Sequence, residues 1–348
     1  MLLIEAARIA EGGGGVLLRY LLEHLEQTGK DYKVILRPSF EVADIPAGKI
    51  VRARVALWNR ARYFRQWVAG FNPTTILCFG NFPPPRRIPG VAVYTYFHRP
   101  GLVHLEEGQR KSKITVLRYR ALNLYLRRTL PNTDELWVQS NDVKNKILNS
   151  LSFPERLVKL YPFFDDGSVR RLAEEFRAAD LPKVDDRFIY VSNAAPHKNH
   201  DKLIQAWEVL ARSGDYPELQ LTLPATAIDI LTLVEIAKAK GCRITNLGFN
   251  PHRDTLEHTY QARFAIFPSQ AETLGLGLVE AARMGCLVLG AGLPYTFAAV
   301  RPTATFSPFD PEDIARTVRD ALSNTDPVST DIRLQNRIND VNSRLFAV

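Results

Sequence analysis

Two glutamates and a glycine-bearing turn are the residues of this sequence best suited to chemistry. In FPSQAETLGLGLVEAARMGCLVLG, from Phe267 to Gly290, a short apolar strand ends at Pro268 and a loop follows. A helix is expected to start around Gly275–Gly277. Glu272 falls in the loop and Glu280 inside the helix. Were the whole interval between them helical, they would stand about 12 Å apart. That is the reach from the sugar to the ribose of a sugar nucleotide, with the diphosphate between. A helix start suits a diphosphate because its first amides lack partners and carry the positive end of the dipole. Gly275 and Gly277 would let the backbone come close where side chains would block it. Either glutamate alone would read as a helix cap or a solvated helical residue. Their joint placement in one strand–loop–helix frame is what points to a bound nucleotide.

Such a frame needs parallel strands behind it, and the rest of the chain supplies the pattern. LLIEAARI, YKVILR, TTILCFG, VAVYTYF and DELWVQS read as short strands separated by helices in the first half. FIYVSN, LQLTLP, RITNLG, RFAIFPS and LVLGAG repeat the pattern after Pro182, with helices between them. Strands alternating with helices of about 10–15 residues imply parallel sheets built from βαβ units. The expected fold is α/β, with two Rossmann-like doubly wound domains facing across a cleft. The first spans residues 1–165 and the second 186–325, joined through a connection at 166–185 that contains the helix SVRRLAEEFRAA. A ligand would lie at the carboxyl ends of the strands.

The motif P-S-x-x-E-x-x-G-L-x-x-x-E-A-x-x-x-G-x-x-V, read from Pro268 to Val288, resembles the signature of retaining GT-B glycosyltransferases of the group 1 family, glycosyltransferase family four. YVSNAAPHKNHDKLIQAW resembles the family's strand–loop–Lys-Asn–helix element, and LGFNPHRDTLEHTYQARFAIFPS its segment before the glutamate pair. LPYTFAAVRPTATFSPFDPEDIA is similar to the tail of polysaccharide and O-antigen members. Weaker likeness extends to the first half through the glycine loop, YTYFHRPGLV and DELWVQSNDVKNKI.

The resemblance implies roles. Lys198 would bind the donor diphosphate and neutralise the charge that grows as the nucleotide leaves, which is what a departing diphosphate needs. Glu280 would accept hydrogen bonds from the ribose, Glu272 would hold sugar hydroxyls, and Thr273, Leu274 and Gly275 would present backbone amides. Many relatives carry Gly-Arg shortly before the lysine, where this chain has Ser192-Asn193. Asn193 takes that donor-side position without the guanidinium, and His197 could assist. Gly12–Gly15 follow the first strand, but with Leu17 they are not G-x-G-x-x-G, and no Gly-Lys-Ser/Thr follows. In the family frame this loop faces the donor, which marks Gly13 and Gly14. His98 ends a strand where family members place a histidine near the reacting sugar. The catalytic set implied is Glu272, Lys198 and His98. The family's reaction is described as front-face attack, with the leaving phosphate taking the acceptor's proton. The closing segment, 326–348, is expected to return as a helix to the first domain, as in relatives.

No D-x-D triplet, H-E-x-x-H or C-x-x-C occurs, so no metal and no cofactor beyond the nucleotide-sugar co-substrate is expected. Cys78, Cys242 and Cys286 lie far apart and read as reduced core residues of a cytosolic protein. The N-terminus lacks a basic segment before its apolar run and reads as a strand, not a signal peptide. No run of 18 apolar residues occurs to span a bilayer.

Charge supplies the other expectation. Lys and Arg number 45 against 37 Asp and Glu, a net +8. Residues 45–133 hold 16 bases and two acids, Glu106 and Glu107, a local +14, so the remainder carries 8 − 14 = −6. KIVRARVALWNRARYFRQWV and RKSKITVLRYRALNLYLRRTL mix arginines with apolar and aromatic residues, which suits an anionic membrane surface or the diphosphate of a lipid carrier. Arg52, Arg54, Arg60, Arg62 and Arg65 are the expected membrane or acceptor patch. The plain alternative is solvated helix faces whose aromatics fill the core. The partners expected are a GDP- or UDP-linked sugar, a lipid-linked glycan acceptor and the cytoplasmic face of the membrane. The product would be a surface polysaccharide such as O-antigen or capsule, through hexosyl transfer, with mannose among the sugars expected. The competing readings are a non-catalytic GT-B-like partner and a basic nucleic-acid binder. Without a nucleic-acid motif, the second leaves the glutamate pair unexplained.

Overall fold

The computed structural model describes residues 1–10, 12–102 and 113–347. Glu106, Glu107, Arg110 and Lys111 of the basic stretch lie outside them, as does Val103 at the end of YTYFHRPGLV. The chain divides into two compact units, 1–165 with 335–348, and 166–334.

In the first unit the chain runs β1 (Leu2–Ala6), α1 (Gly13–Gln27), β2 (Tyr32–Leu36), β3 (Ile50–Arg52), α2 (Arg60–Phe71), β4 (Thr75–Cys78) and β5 (Ala92–Phe97). It continues with α3 (Lys113–Thr129), β6 (Glu135–Val138), α4 (Asn141–Ser150) and β7 (Val158–Leu160). The strands form one parallel sheet in the order β3-β2-β1-β4-β5-β6-β7. Every residue of β1, β4 and β6 is buried, as expected where helices cover both faces of a parallel sheet. Leu3, Ile35, Ile76 and Val93 of the strands pack with Phe64 and Trp67 of α2.

That packing corrects one member of the basic patch. Arg60 is fully buried, with Nη2 2.5 Å from Glu5 Oε2 of β1. It also donates to the carbonyl oxygens of Phe82 (2.7 Å) and Pro83 (2.5 Å). It faces the core because it opens the helix whose other inward residues are Phe64 and Trp67. Glu5 takes its charge there. Arg52, Arg54, Arg62 and Arg65 are exposed.

The second unit comprises α5 (Asp166–Ala178), β8 (Val184–Tyr190), α6 (His200–Arg212), β9 (Glu218–Leu221), α7 (Ile228–Ala239), β10 (Ile244–Asn246) and α8 (His252–Gln261). Then follow β11 (Ala262–Phe267), α9 (Leu276–Arg283), β12 (Leu287–Ala291), α10 (Pro294–Ala299), β13 (Val300–Arg301), β14 (Ala304–Phe306), α11 (Pro311–Ser323) and β15 (Asp331–Ile332). Its main sheet is again parallel, β10-β9-β8-β11-β12-β14, and β13 pairs antiparallel with β15. Residues 166–185, expected as a connection, are instead part of this unit. Asp166 at the start of α5 accepts two hydrogen bonds from Arg283 of α9, at 2.7 and 3.1 Å, and Phe176 is buried. A helix tied in this way is packed structure, not a linker.

The closing helix α12 (Ile338–Leu345) belongs to the first unit. Arg344 donates to Glu135 of β6 at 2.8 Å, and Asn336 donates to the Phe164 carbonyl at 2.6 Å and to the Tyr20 hydroxyl at 3.0 Å. All three cysteines are buried free thiols.

Candidate active site

Lys198 and Glu272 lie 74 residues apart in sequence, and the loops after β8 and β11 bring them together. A single helical turn, Pro196–Lys198, closes the first loop, and Asn199 then turns the chain straight into α6 from a left-handed backbone (φ 62°). Asn tolerates that conformation better than most side chains. Its buried carboxamide joins the two loops. Nδ2 donates to the carbonyls of Pro268 (3.0 Å) and Pro308 (2.6 Å), and Oδ1 accepts from Gln270 at 3.2 Å. The Gln270 backbone amide donates to the His197 carbonyl at 2.8 Å. The Tyr190 hydroxyl donates to the Lys198 carbonyl at 2.9 Å and meets Ser269 Oγ at 2.8 Å, while Tyr295 donates to the Ser269 carbonyl at 2.7 Å. Burial, and then the nearby Glu272 charge, push both phenols above their ordinary range, so they stay protonated donors.

The result is an ion pair with Lys198 Nζ 2.5 Å from Glu272 Oε1, the side chains 15% and 17% exposed. Such shielding strengthens the interaction relative to a surface pair. His200, at the head of α6, bonds Ser192 Oγ through Nε2 at 3.0 Å. Burial and then the Lys198 charge push its pKa down to about 4, so it is neutral beside the lysine. Asn193 is exposed, and its side-chain oxygen accepts from the Ala195 amide at 3.1 Å, shaping the loop that replaces the relatives' Gly-Arg.

The start of α9 is built as a backbone feature. Gly275 caps it at φ 70° without a side-chain hydrogen bond, and no acid occupies the first turn. A Cβ on Gly275 would meet the Ala299 Cβ at 3.0 Å, and one on Gly277 would meet the Phe267 ring at 3.0 Å. The glycines therefore let α9 seat on β11 and α10, and Leu274 is buried beside them. Thr273 continues the loop that carries Glu272. Glu280, inside α9, is 18% exposed and lies 3.0 Å from His252 Nε2 at the head of α8. His252 was not singled out in the sequence, although its place after Pro251 at a helix start was visible there.

The first unit holds a second group. Asn81, left-handed at φ 70°, accepts from the His98 amide at 2.8 Å through Oδ1, and its Nδ2 lies 3.2 Å from His98 Nε2. With Oδ1 fixed as acceptor, Nδ2 is the donor, and this assigns the proton of the neutral imidazole to Nδ1. Burial, reinforced by Arg99, pushes the His98 pKa down to about 4. A Cβ on Gly14 would sit 2.9 Å from His98 Nε2, so glycine is what admits the imidazole against the start of α1. Gly13 faces open space. The structure thus brings Gly14 to His98, and Lys198 to Glu272, each pair within its own unit. Asn81, Asn199, Ser269 and Tyr295, which hold these residues in place, were not expected as site residues.

Two parallel Rossmann-like sheets, one of them bearing a shielded lysine–carboxylate pair beside an uncapped helix start, define the GT-B class of fold. The sequence profile described as "Glycosyl transferases group 1" matches residues 173–339, and the chain carries the group 1 glycosyltransferase domain there. Many solved structures share the fold. Sucrose-phosphate synthase (tll1590) from Thermosynechococcus elongatus is 18% identical, with 99% of this chain and 94% of that chain covered and a TM-score of 0.70. WaaG, a glycosyltransferase involved in lipopolysaccharide biosynthesis, is 15% identical over 100% of both chains, at 0.70. Anabaena Alr3699/HepE in complex with UDP and glucose is 14% identical, covering 99% and 95%, at 0.63. No curated protein matches by sequence.

Proposed function

We propose that this glycosyltransferase is retaining and metal-independent, and moves a hexose from a UDP- or GDP-linked donor to a glycan or lipid-linked acceptor. The observation that carries this reading is the Lys198–Glu272 pair beside the uncapped start of α9. Among the described residues one carboxylate holds the ammonium, so an arriving diphosphate can compete for it. The first amides of α9 offer donors to the same phosphates. Glu280, with His252 against one oxygen, keeps acceptor capacity for ribose hydroxyls. In the reaction the bond from the anomeric carbon to the phosphate oxygen breaks as the acceptor oxygen bonds that carbon on the same face. The acceptor's proton passes to the leaving phosphate. Lys198 stays on that phosphate and offsets its growing charge. Support comes from HepE, which is known in complex with UDP-glucose, and from WaaG, whose name places it in lipopolysaccharide biosynthesis. On this reading the products are surface polysaccharides such as O-antigen or capsule, made at the cytoplasmic face of the membrane.

The test begins with a thermal-shift screen across UDP- and GDP-sugars, since a ligand bound only by the folded state raises the melting temperature. With the stabilising donor, Lys198→Ala should lower kcat for donor hydrolysis or transfer by about 100-fold or more. Glu280→Ala should chiefly raise KM for the donor. Chelator should leave the rate unchanged, and product NMR should show the donor's anomeric configuration. Full activity in both variants would reject the site.

A further inference from the structure

At the carboxyl ends of β1, β2 and β3 the first unit has an open cleft of about 670 Å³ that the donor chemistry does not use. Arg8, Arg37 and Arg54 line it together with Ser39, Asn59 and Trp58, and no carboxylate is among its lining residues. Among the described residues the guanidiniums of Arg8, Arg37 and Arg54 form no hydrogen bond or ion pair. Arg8 rests 5.7 Å from the Phe82 ring centroid and feels the charge of Glu5 without hydrogen-bonding it. The acid beneath it, Glu5, is committed to Arg60. Arg52 holds the loop in place by donating to the carbonyls of Pro38 (3.0 Å) and Phe40 (2.7 Å), which sets Arg37 and Ser39 on the rim. Trp58 is 86% exposed.

Like charges around one cleft repel one another, and an anion seated among them removes that cost. Guanidinium forks match phosphate oxygens in pairs, a geometry that lysine does not offer. Strand carboxyl ends are where doubly wound sheets take ligands, and the volume suits a sugar phosphate. An exposed indole beside the charges offers an apolar plate for the face of a sugar ring.

We infer that this cleft binds the phosphate or diphosphate of a phosphorylated saccharide, with Trp58 against its sugar. That makes the acceptor an anionic glycan. Its role as acceptor rests on the transferase reading above, whereas the anion site stands without it. Isothermal titration of inorganic pyrophosphate and of glucose 6-phosphate, with UDP saturating the donor site, provides the test. Both should bind. Arg37→Ala/Arg54→Ala should weaken both by roughly tenfold or more and leave UDP binding unchanged. Trp58→Ala should weaken glucose 6-phosphate alone. If UDP and GDP both fail to bind, the donor reading is wrong, and the same titration in a Lys198→Ala background still reads the arginines; if GDP alone binds, it takes the place of UDP in the titration. Neutral phosphatidylcholine vesicles carrying a prenyl diphosphate form a parallel arm. Arginine-dependent capture there assigns the phosphate to a lipid carrier, and arginine-dependent binding of the soluble ligands alone assigns it to a free sugar phosphate. Equal binding by wild type and the double arginine variant in every arm would overturn the inference.

Discussion

The side chains that do the positioning are mostly neutral, and two of them are histidines. His98 and His200 both have their pKa pushed from 6.5 down to about 4, chiefly by burial. A folded value below the unfolded one means that the unfolded chain takes up protons first as the pH falls. Stability is therefore intact above about pH 6.5 and is lost progressively between there and pH 4. At pH 5 each buried imidazole should cost on the order of 2 kcal/mol. Thermal melts of the wild type from pH 7.5 to 4.5 should show that decline, and His98→Gln and His200→Gln should each flatten it. A slope identical in all three proteins would show that these imidazoles are not its source. Asn81 takes Nε2 of the neutral His98, and its Nδ1 is buried without a hydrogen-bond partner, so the ring is held as a neutral packed group and not as a cation.

At the scale of elements, α2 shows how a basic residue can belong to the core. Arg60→Ala would leave the Glu5 carboxylate buried without its cation and should cost about 3–5 kcal/mol. Replacing both partners, Glu5→Leu with Arg60→Met, should recover much of that, whereas Arg62→Ala and Arg65→Ala on the exposed face should stay within about 0.5 kcal/mol of wild type. Urea midpoints would settle the order. The sequence could not show this pairing, because Arg60 sits in a run of arginines and Glu5 lies 55 residues away. The β11–α9 segment was legible for the opposite reason. Its strand, Pro268, Gly275 and Gly285 mark the boundaries locally, and both glutamates fall inside one frame. The alternation of longer strands and helices was legible too. The short strands β3, β7, β13, β14 and β15, two or three residues each, carry too few positions to set a period. The left-handed turn at Asn199 depends on carbonyls of distant loops and that at Asn81 on the His98 amide and ring, so only the fold reveals their purpose.

Over the whole molecule, the net +8 is the sum of a stretch at +14 and a remainder at −6. Among the described residues, no helix is long and apolar enough to cross a membrane. With Arg60 in the core, the exposed basic face of α2 reduces to Arg62 and Arg65, and α3 adds Arg118 and Arg120 beside the exposed Leu117 and Leu124. Leucines at i and i+7 flanked by arginines are the pattern that a helix lying in a lipid interface would need. Each basic residue near an anionic surface contributes about 1 kcal/mol, so Arg62→Gln/Arg65→Gln should weaken binding to phosphatidylglycerol vesicles by about 30-fold. Raising the salt should weaken the wild type in the same direction, because exposed charges are screened over a Debye length of about 10 Å at 0.1 M. Leu117→Ser/Leu124→Ser separates insertion from simple attraction: it should reduce binding even at low salt, where charge alone would still hold the protein. Donor binding, read by the shift in melting temperature with the preferred nucleotide sugar, should be the same in all three proteins, since Lys198, Glu272 and Glu280 belong to the other unit. Co-sedimentation that ignores both the arginines and the leucines would show that these faces of α2 and α3 do not bind lipid.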